Sequence, residues 1–506
     1  MRNLESLLLN SGMSPLSCSG NTDVEIQGIT YDSRKTNPGY LFVCIRGEHH
    51  DGHDYVLDAA SKGAVAVVVD RDLENIPDTL SVVRVRDSRK ALGDLAKAFY
   101  NNPSESMFCV GVTGTKGKTT TTHLIKSVLD EAGMSCGIIG TLGCVSENLS
   151  IPTRHTTPES LDIQEFLAKM LASGEKAIAM EVSSHAIALH RTRGIDFDVG
   201  VFTNIGHDHL DFHGSFSSYL ATKASFFETL GAGRDNNGNS GKTRLSIINV
   251  DDPNSDFILS KTRTQVATYG ISDNLARITA RELRLYGRDT SFVACTPQGS
   301  FPVSFNLKGI FNVYNALAAI ACGLAQGLDP DTICRGLRSL KGVPGRFESI
   351  DEGQPFTVVI DYAHTPDSLE NVLREARRLG SGSLTVVFGC GGDRDKSKRP
   401  VMGKIAATLA DRVIVTSDNP RTEEPYDICK EIEEGILYGG LPSLGYDIIP
   451  DRTCAIERAI FSAQEGDVLV IAGKGHETYQ IFRDRTIHFD DREMARTLLR
   501  ERMQNA

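Results

Sequence analysis

The chain has 506 residues, of which 40% are hydrophobic and 24% charged, and its formal net charge is −11. This acidic balance argues against nucleic-acid binding, which needs basic surface, and no apolar run reaches the roughly 18 residues of a membrane helix. We therefore expect a cytoplasmic globular protein that binds neither nucleic acid nor membrane, with three domains divided near residues 105 and 343. The sequence leaves the oligomeric state open, and a monomer is the default expectation.

The first part of the chain, residues 1–105, is predicted to be a small α/β domain. Strands are predicted at "AVAVVV" (64–69) and "SVVRV" (81–85). Apolar residues at helical spacing predict a helix in "SRKALGDLAKAFYNNPS" (88–104), which ends at Asn-Asn-Pro.

The middle part, residues 106–343, is predicted to form a parallel sheet covered by helices. Four apolar runs of strand length occur between helical stretches: "FCVGV" (108–112), "AIAMEV" (177–182), "VGVFTN" (199–204) and "LSIINV" (245–250). Helices are predicted over 118–132 and in "NVYNALAAIACGLAQG" (312–327), and the alternation between residues 275 and 307 predicts antiparallel strands.

The loop "TGTKGKTTTT" (113–122), between a strand and a helix, is a candidate phosphate site. The common pattern G-x-x-x-x-G-K-[ST] has a glycine where this chain has Val112, so the first glycine is missing. Gly114, Gly117, Lys118 and Thr119 keep its functional end: backbone N–H groups for phosphate, a cation, and a hydroxyl for Mg²⁺. The alternative is a plain structural turn.

Beyond residue 343, four apolar strands each run into a loop of polar residues. They lie in "FTVVIDYAHTP", "LTVVFGCGG", "RVIVTSD" and "DVLVIAGKG". Because ligands bind at the carboxyl ends of strands in open α/β sheets, these four loops are expected to converge.

Nine ordered motifs between about residues 28 and 480 resemble the Mur ligase family. They are "GVTGTKGKTTTT", "MEVSSHAIALHR", "FTNIGHDHLDFHG", "YNALAA", "GRFE", "DYAHTPDSL", "GCGGDRDKSKRP", "SDNPRTEEP" and "AGKGHE". The resemblance implies an α/β fold of three domains: a UDP-binding domain (1–105), a P-loop-type parallel-sheet ATPase domain (106–343) and a Rossmann-like amino-acid-binding domain (344–506). It also implies ATP-driven amide bond formation through an acyl phosphate, in peptidoglycan precursor synthesis.

The resemblance implies that one group of residues binds ATP and Mg²⁺. The phosphate loop comprises Gly114, Thr115, Lys116, Gly117, Lys118, Thr119 and Thr120. Lys116 replaces the usual asparagine and leaves Lys118 and Thr119 intact. Adenine, phosphate and ribose contacts fall to Asn315, Arg346 and Asp361, whose alternatives are a helix-face asparagine, a linker arginine and a strand-end cap.

The family's catalytic and metal-binding set falls on Lys118, Glu181, His209 and Lys223. Thr119 and Glu181 would hold one Mg²⁺ and His209 a second, and Lys223 would be carbamylated, since a carbamate gives this hard cation an anionic oxygen ligand. Without the resemblance, Glu181 could be part of a buried salt bridge and Lys223 a solvated helix lysine. The three histidines of "HDHLDFHG" (207–214) alone would suggest zinc, although the usual glutamate or cysteine partners are missing.

The remaining implied residues bind the other two substrates. Those for UDP-MurNAc-L-Ala-D-Glu are Ser33, Glu48, His49, His50, Thr156, Thr157, Ser183 and Arg191. Those for meso-diaminopimelate are Arg394, Asp418, Asn419, Pro420, Arg421, Gly473 and Glu477. The "DNPR" segment is the family's signature for diaminopimelate, because the fork of Arg421 can pair with the extra carboxylate that lysine lacks.

Three alternatives remain open at this stage. The chain could add L-lysine, be a folylpolyglutamate-type ligase, or be a regulatory P-loop protein that hydrolyses ATP without making a bond. For Arg421, the structural alternative is a salt bridge with Glu423 or Glu424.

Overall fold

The computed structural model describes residues 3–47, 50–230, 244–272, 275–285, 289–439 and 445–504. Contacts divide the chain into two compact units. The first comprises Met1–Arg281, Ala294–Phe301 and Tyr314–Leu337, and the second comprises Glu282–Val293, Pro302–Val313 and Arg338–Ala506. The domain boundaries near residues 105 and 343 remain predictions. Among the described residues, no helix combines the length and the apolar character that crossing a membrane requires.

The N-terminal segment forms a small sheet with helices packed on it. Its elements are α1 (Leu4–Ser11), β1 (Ser17–Ser19), β2 (Gly28–Thr30), β3 (Tyr40–Val43), α2 (Val56–Ser61), β4 (Ala64–Val69), β5 (Ser81–Arg84) and α3 (Ser88–Phe99), with 3-10 helices at Ser33–Lys35, Gly52–Tyr55 and Pro103–Ser106. The strand order is β1-β5-β4-β3-β2, parallel except for β1. The two predicted strands and the predicted helix are confirmed. The helix begins where the Asp87 side chain accepts from the N–H groups of Arg89 and Lys90.

The middle segment contains the large sheet. Its elements are β6 (Phe108–Thr113), α4 (Lys118–Glu131), β7 (Cys136–Gly140), β8 (Gly143–Val145), β9 (Ser150–Ile151), α5 (Ser160–Ala172), β10 (Ala177–Glu181), α6 (Ser184–Ala188), β11 (Val199–Phe202), α7 (Leu210–His213), α8 (Phe216–Thr229), β12 (Leu245–Asn249), α9 (Ser255–Lys261), β13 (Gln265–Gly270), β14 (Ile278–Arg284), β15 (Thr290–Thr296), β16 (Gly299–Phe305), α10 (Ile310–Ala325) and α11 (Pro330–Ser339). The strand order is β16-β15-β14-β13-β12-β11-β6-β10-β7-β8-β9.

The central strands of this sheet are parallel, as predicted. β6 lies between β10 and β11, and β10 also pairs with β7. β7, β10 and β11 are buried along their whole length, which explains their continuous apolar sequences. The carboxyl ends of β6, β7, β10 and β11 therefore lie along one edge, where the phosphate loop and Glu181 are found.

The C-terminal segment forms a second parallel sheet. Its elements are β17 (Glu348–Ile350), β18 (Thr357–Asp361), α12 (Pro366–Ala376), β19 (Leu384–Phe388), α13 (Lys398–Leu409), β20 (Arg412–Val415), α14 (Pro425–Tyr438), β21 (Tyr446–Ile448), α15 (Arg452–Ser462), β22 (Val468–Ala472), β23 (Tyr479–Ile481), β24 (Thr486–His488) and α16 (Asp491–Gln504). The order is β17-β18-β22-β19-β20-β21, and only β17 is antiparallel. The four predicted strands are thus adjacent, and their polar loops share one edge.

A buried ion pair lies where β20 and β22 end. Arg452 and Asp491 are both fully buried, with Arg452 Nε and Nη2 each 2.7 Å from a carboxylate oxygen. The same guanidinium donates to the carbonyls of Ser417 and Ala472, just after β20 and at the end of β22. This arginine therefore supports the loops that follow both strands.

We expect Arg452→Met to lower the free energy of unfolding by about 3–5 kcal/mol, because it leaves the Asp491 carboxylate buried without its partner. Urea unfolding followed by circular dichroism measures the change. Arg458→Met on the same helix is the matched control, since this exposed arginine is 3.9 Å from Asp447, and a change within about 0.5 kcal/mol is expected. Equal effects of the two substitutions would contradict the assigned role of the buried pair.

Candidate active site

The loop between β6 and α4 has the backbone of a phosphate-binding turn. Gly117 has φ 85° and caps the first turn of α4, a left-handed conformation that favours glycine. A Cβ at Gly114 would lie 1.9 Å from Thr203 Oγ1, so only glycine allows the loop to approach β11 this closely. The Thr115 N–H donates to Asn204 O and the Lys116 N–H to Asn204 Oδ1. The missing first glycine has not removed the strand–loop–helix geometry.

Two lysines meet on one carbonyl of this loop. Lys118 Nζ and Lys223 Nζ each lie 2.9 Å from Gly114 O, and Lys118 also donates to Thr115 O. Lys223 is 1% exposed, so the solvated lysine considered above is wrong. Burial, with a smaller contribution from the Lys118 charge, lowers the pKa of Lys223 well below its usual value. A lowered pKa favours the neutral amine of Lys223 over the ammonium group.

Glu181 lies at the end of β10, which pairs with β6, the strand that leads into the phosphate loop. It is buried, and its oxygens accept from the N–H (2.8 Å) and hydroxyl (3.1 Å) of Thr141. No cation pairs with it among the described residues, so the salt-bridge alternative finds no support. Thr141, which follows β7, was not predicted from the sequence.

His209 stands at the start of α7 in a left-handed conformation, with φ 53°. Burial lowers the pKa of His209, and the nearby charges of Lys118 and Lys223 lower it further, while the Asp208 carboxylate raises it. The net effect is a lowered pKa, which favours the neutral imidazole. The His185 ring lies 4.7 Å from the His209 ring. Nowhere in the described ranges do three His, Cys, Asp or Glu side chains form a metal-binding group. The structure therefore gives the zinc alternative no support.

The residues predicted to bind Mg²⁺ can be judged by their chemistry. Thr119, Glu181 and His209 offer a hydroxyl, a carboxylate and a neutral imidazole, which are suitable ligands. Lys223 as an ammonium group would repel the ion, whereas its carbamate would supply an anionic oxygen. The residues therefore fit Mg²⁺ with Lys223 in the carbamate form.

Asn315 on α10 lies against the phosphate loop. Its Oδ1 accepts from Thr121 Oγ1 at 3.1 Å and would be 2.6 Å from a Cβ at Gly117. The side chain is 5% exposed. The structure thus brings Asn315 to the phosphate loop, and its role as an adenine contact stays a prediction.

Four residues predicted for the sugar and dipeptide gather around the end of β10. Thr157 Oγ1 donates to Glu181 O (2.8 Å) and lies 3.2 Å from Ser183 Oγ, and Thr156 Oγ1 is 3.1 Å from Thr141 Oγ1. Arg191 Nη1 donates to Thr157 O. These contacts bring the four predicted substrate residues together at the end of β10, where Glu181 lies.

Arg191 is also held by a carboxylate that was not predicted. Its Nε donates to Glu159 Oε1 at 2.9 Å, and Arg89 from the N-terminal segment pairs with the same Glu159. Arg191 and Glu159 are each 9% exposed. Part of the Arg191 charge is therefore already neutralised within the protein.

The predicted UDP residues lie in the N-terminal segment. Ser33 is buried at the start of a 3-10 helix, and its carbonyl accepts from Lys62 Nζ. His50 is exposed and its Nδ1 is 3.3 Å from Tyr55 Oη. Glu48 and His49 lie outside the described residues.

In the second unit, Arg346 and Asp361 are neighbours. The Asp361 carboxylate accepts from the Phe347 N–H at 2.7 Å, and the Arg346 guanidinium lies 4.9 Å from the centre of the Tyr362 ring. Arg346 Nε is buried and has no hydrogen-bond partner within the described part of the chain. An arginine held this way retains a donor for a ligand.

The four polar loops of the C-terminal sheet converge as predicted. The Gly473 N–H donates to Asp361 O and the Gly392 N–H to Asn419 O. A Cβ at Gly473 would be 2.8 Å from Asp418 Oδ2. The ends of β18, β19, β20 and β22 therefore form one continuous surface.

Asn419 and Glu477 form a hydrogen-bonded network with a lysine that was not predicted. Glu477 Oε2 accepts from Asn419 Nδ2 (2.8 Å) and from Lys474 Nζ (3.1 Å), and Asn419 Oδ1 accepts from the Ile481 N–H. Lys474 is fully buried. Both donors use the same carboxylate oxygen of Glu477, and among the described residues no hydrogen bond to Oε1 is observed.

Arg394 and Arg421 lie side by side. A Cβ at Gly391 would be 2.9 Å from Arg421 Nη1 and 3.6 Å from Arg394 Cγ, so the glycine makes room for both arginines. Arg421 Nη1 donates to Gly392 O at 2.6 Å. Pro420 is buried directly before it.

Glu423 is not paired with Arg421. Its two oxygens bond to Arg399 at 2.9 and 3.0 Å, and Lys396 lies 2.9 Å away. Within the described ranges, no carboxylate forms a salt bridge with Arg394 or Arg421, and the proposed structural pairing of Arg421 is not observed.

The Arg399–Glu423 contact predicts a pH-dependent contribution to stability. Hydrogen bonds from Arg399, the largest of several causes, lower the pKa of Glu423 from 4.5 to about 2. A lowered carboxyl pKa stabilises the folded state above the unfolded value, and this stabilisation is lost as the pH falls towards the folded value. The difference in free energy of unfolding between the wild type and Glu423→Gln should therefore be constant above about pH 5.5 and shrink as the pH falls below 4.5 towards 2. Urea titrations at several pH values measure it, and a pH-independent difference would contradict the assignment.

Comparison with known proteins gives matches over the whole chain. Residues 25–100 match the description "Mur ligase family, catalytic domain", residues 112–323 "Mur ligase middle domain" and residues 345–475 "Mur ligase, glutamate ligase domain". Proteins of Geobacillus thermodenitrificans and Halalkalibacterium halodurans, both named UDP-N-acetylmuramoyl-L-alanyl-D-glutamate--2,6-diaminopimelate ligase, are 46% and 47% identical over 96% of this chain and 96% of their own lengths. A solved structure with the same enzyme name has a TM-score of 0.70 and 30% identity, and the match covers 99% of each chain. The three-domain α/β fold class predicted from the sequence is confirmed.

Proposed function

The chain belongs to the Mur ligase family, and from this membership we propose that it joins meso-diaminopimelate to UDP-MurNAc-L-Ala-D-Glu. It is an ATP-dependent ligase of peptidoglycan precursor synthesis. We further propose that it acts in the cytoplasm, where a nucleotide-linked precursor and an amino acid would be its substrates, and that it is a monomer. The observation that carries the choice of amino acid is the fork of Arg421, which lies at the carboxyl edge of the sheet and forms no salt bridge with a carboxylate of the described residues.

The first chemical step activates the dipeptide. Its carboxylate attacks the γ-phosphate of ATP, the bond to ADP breaks, and an acyl phosphate forms. Negative charge concentrates on the transferred group, so fixed cations and N–H donors lower the barrier. Lys118 supplies such a cation when it exchanges the carbonyls of Gly114 and Thr115 for phosphate oxygens.

The second step makes the amide. The attacking ammonium group of diaminopimelate first loses a proton; the resulting amine attacks the acyl carbon, and phosphate leaves from the tetrahedral intermediate as the nitrogen loses a second proton. Glu477 Oε1 and the Arg394–Arg421 pair hold the ammonium and carboxylate ends of the amino acid, which orients it for attack. Thr156, Thr157, Ser183 and Arg191 hold the sugar and dipeptide beside Glu181. Ser33, Glu48, His49 and His50 bind the UDP.

Thr119, Glu181, His209 and the carbamate of Lys223 would hold Mg²⁺, which would supply neutralisation of phosphate charge when bound. The neutral Lys223 amine attacks carbon dioxide, an N–C bond forms, and one proton leaves the nitrogen. Carbamylation changes the buried side chain from a neutral amine to an anion beside Lys118, whose charge then stabilises it. Burial also shields the carbamate from water.

Carbamylation of Lys223 predicts a modification that can be observed without turnover. Native mass spectrometry in bicarbonate should show a species heavier by one carbon dioxide, which disappears after bicarbonate removal or in Lys223→Ala. Lys126→Ala, which removes a part-exposed lysine paired with Asp130, is the control and should keep the added mass. An unmodified wild type in bicarbonate would refute the carbamate.

The reaction is tested by phosphate release with ATP, Mg²⁺ and UDP-MurNAc-L-Ala-D-Glu, with meso-diaminopimelate, L-lysine or no amino acid. Turnover only with diaminopimelate is expected. Turnover with lysine would retain the ligase and overturn the specificity, and release that is indifferent to every amino acid would indicate a regulatory ATPase.

A further inference from the structure

Arg399, which has no role in the steps above, is buried between the two loops that carry Arg394 and Arg421. It lies in the first turn of α13, and its side chain is fully inaccessible to solvent. Nη2 donates to Gly391 O at 3.2 Å and to Glu423 Oε1 at 2.9 Å, and Nη1 donates to Glu423 Oε2 and to Glu431. One guanidinium therefore joins the loop after β19, the loop after β20 and helix α14.

Arg399 and Arg421 donate hydrogen bonds to the carbonyl groups of two consecutive residues. Arg399 bonds to Gly391 O, and Arg421 bonds to Gly392 O. The next residue, Asp393, donates its N–H to Glu423 Oε1 and accepts from the Thr422 hydroxyl. Each residue from 391 to 393 is thus held by Arg399 or by the segment 421–423.

Glu423 is the carboxylate nearest to Arg421 in the chain, only two residues away. Both of its oxygens are occupied, because Arg399 bonds to both and the Asp393 N–H and Lys396 add one contact each. Lys396 is 60% exposed and contributes less than the buried, two-pronged contact of Arg399. Arg399 is therefore the main reason that Glu423 is not available to another cation.

We propose that Arg399 is a positioning residue for amino-acid selection: by holding Glu423, it prevents this carboxylate from occupying the fork of Arg421. The inference rests on the proposed function, since it assumes that Arg421 receives the distal carboxylate of the amino acid. A carboxylate tethered two residues away competes at an effective concentration of about millimolar or more. Without Arg399, Glu423 becomes an internal competitor of the substrate.

The consequence can be measured as a change in KM. In Arg399→Met, the KM for diaminopimelate should rise by about tenfold or more with kcat largely retained, because an internal competitor blocks binding rather than chemistry. In the double variant Arg399→Met/Glu423→Gln, no carboxylate competes, and the KM should return to within about threefold of the wild type. Glu423→Gln alone should bind diaminopimelate nearly as well as the wild type.

A structural role for Arg399 would give a different pattern. Loss of loop support alone would leave the double variant as impaired as Arg399→Met, or more so, and that result would overturn the inference. Arg377→Met is the matched control: it breaks the Arg377–Asp411 pair in the same unit and should leave the KM unchanged. Thermal unfolding of all variants accompanies the kinetics.

Arg399→Lys keeps the charge but loses the fork, and it provides the test if Arg399→Met does not fold. Its KM should rise and be restored by Glu423→Gln, and an unchanged KM in Arg399→Lys would overturn the inference. A wild type without diaminopimelate-dependent turnover would refute the proposed function and this inference together. A normal wild type with an unrescued double variant would refute the inference alone.

Discussion

Lys118→Ala is expected to reduce kcat by about 10²–10³-fold, the usual cost of removing one preorganised electrostatic group from an active site. The ammonium group lies at the start of α4, where its charge adds to the field of the helix N-terminus. The transferred phosphoryl group gathers charge in the transition state, so kcat should fall more than KM for ATP rises. Steady-state phosphate release with saturating substrates measures both constants.

Variants of two other lysines test whether the loss of kcat is specific to Lys118. Lys116→Ala also removes one positive charge from this loop, but it keeps the backbone N–H that donates to Asn204 and so keeps the shape of the loop. We therefore expect the KM for ATP to change by less than about tenfold, with kcat retained. Lys126→Ala removes a part-exposed lysine farther along α4 and should leave both constants unchanged. If Lys116→Ala impaired kcat as much as Lys118→Ala, loss of general positive charge would explain the data and Lys118 would lose its assigned role.

The phosphate loop could be predicted from the sequence because its determinants are local. A buried strand, two glycines, a lysine and a helix follow one another within about a dozen residues, and hydrophobic periodicity identifies them directly. The convergence of the four C-terminal loops could be predicted for a similar reason. Parallel strands place their carboxyl ends on one edge whatever the strand order.

Contacts between distant residues could not be predicted in this way. Thr141 bonds to Glu181 across 40 residues of sequence, and Asn419 bonds to Glu477 across 58. Nothing in the local pattern of Arg399 or Lys474 shows that these charges are fully buried. Arg399 bonds to Glu423 and Glu431, and Lys474 bonds to Asn419 across 55 residues as well as to the nearby Glu477, so most of these partners come from segments that meet only when the sheet has formed.

The burial of Lys223 is an intermediate case, because the local sequence contains a signal for it. Tyr219, Leu220, Ala224 and Phe227 on the same helix are buried, and Lys223 follows Tyr219 by four residues, on the same face. Helical spacing alone therefore contained the signal for its burial. A lysine on an apolar face is unusual enough to indicate either a partner or a shifted pKa.

Arg421→Ala is expected to lower kcat/KM for diaminopimelate by about 10²–10³-fold, the cost of truncating one partner of a desolvated charge pair. The value for L-lysine should change by less than about tenfold, because lysine has no distal carboxylate to pair with the guanidinium. Competition between the two amino acids in one assay measures the ratio directly. Arg421→Lys should recover only part of the loss, since it restores the charge but not the fork.

The controls for Arg421 separate pairing from charge and from folding. Arg483→Ala removes an exposed arginine that donates to Thr422 O beside the same loop, so a through-space charge effect would appear in this variant as well. We expect selectivity for diaminopimelate to remain in Arg483→Ala and to disappear in Arg421→Ala. If Arg421→Ala lowered the unfolding temperature but retained the wild-type preference, Arg421 would be a support of the loop at Gly392 and the choice of amino acid would depend on other residues, with Arg394 beside it as the next to test.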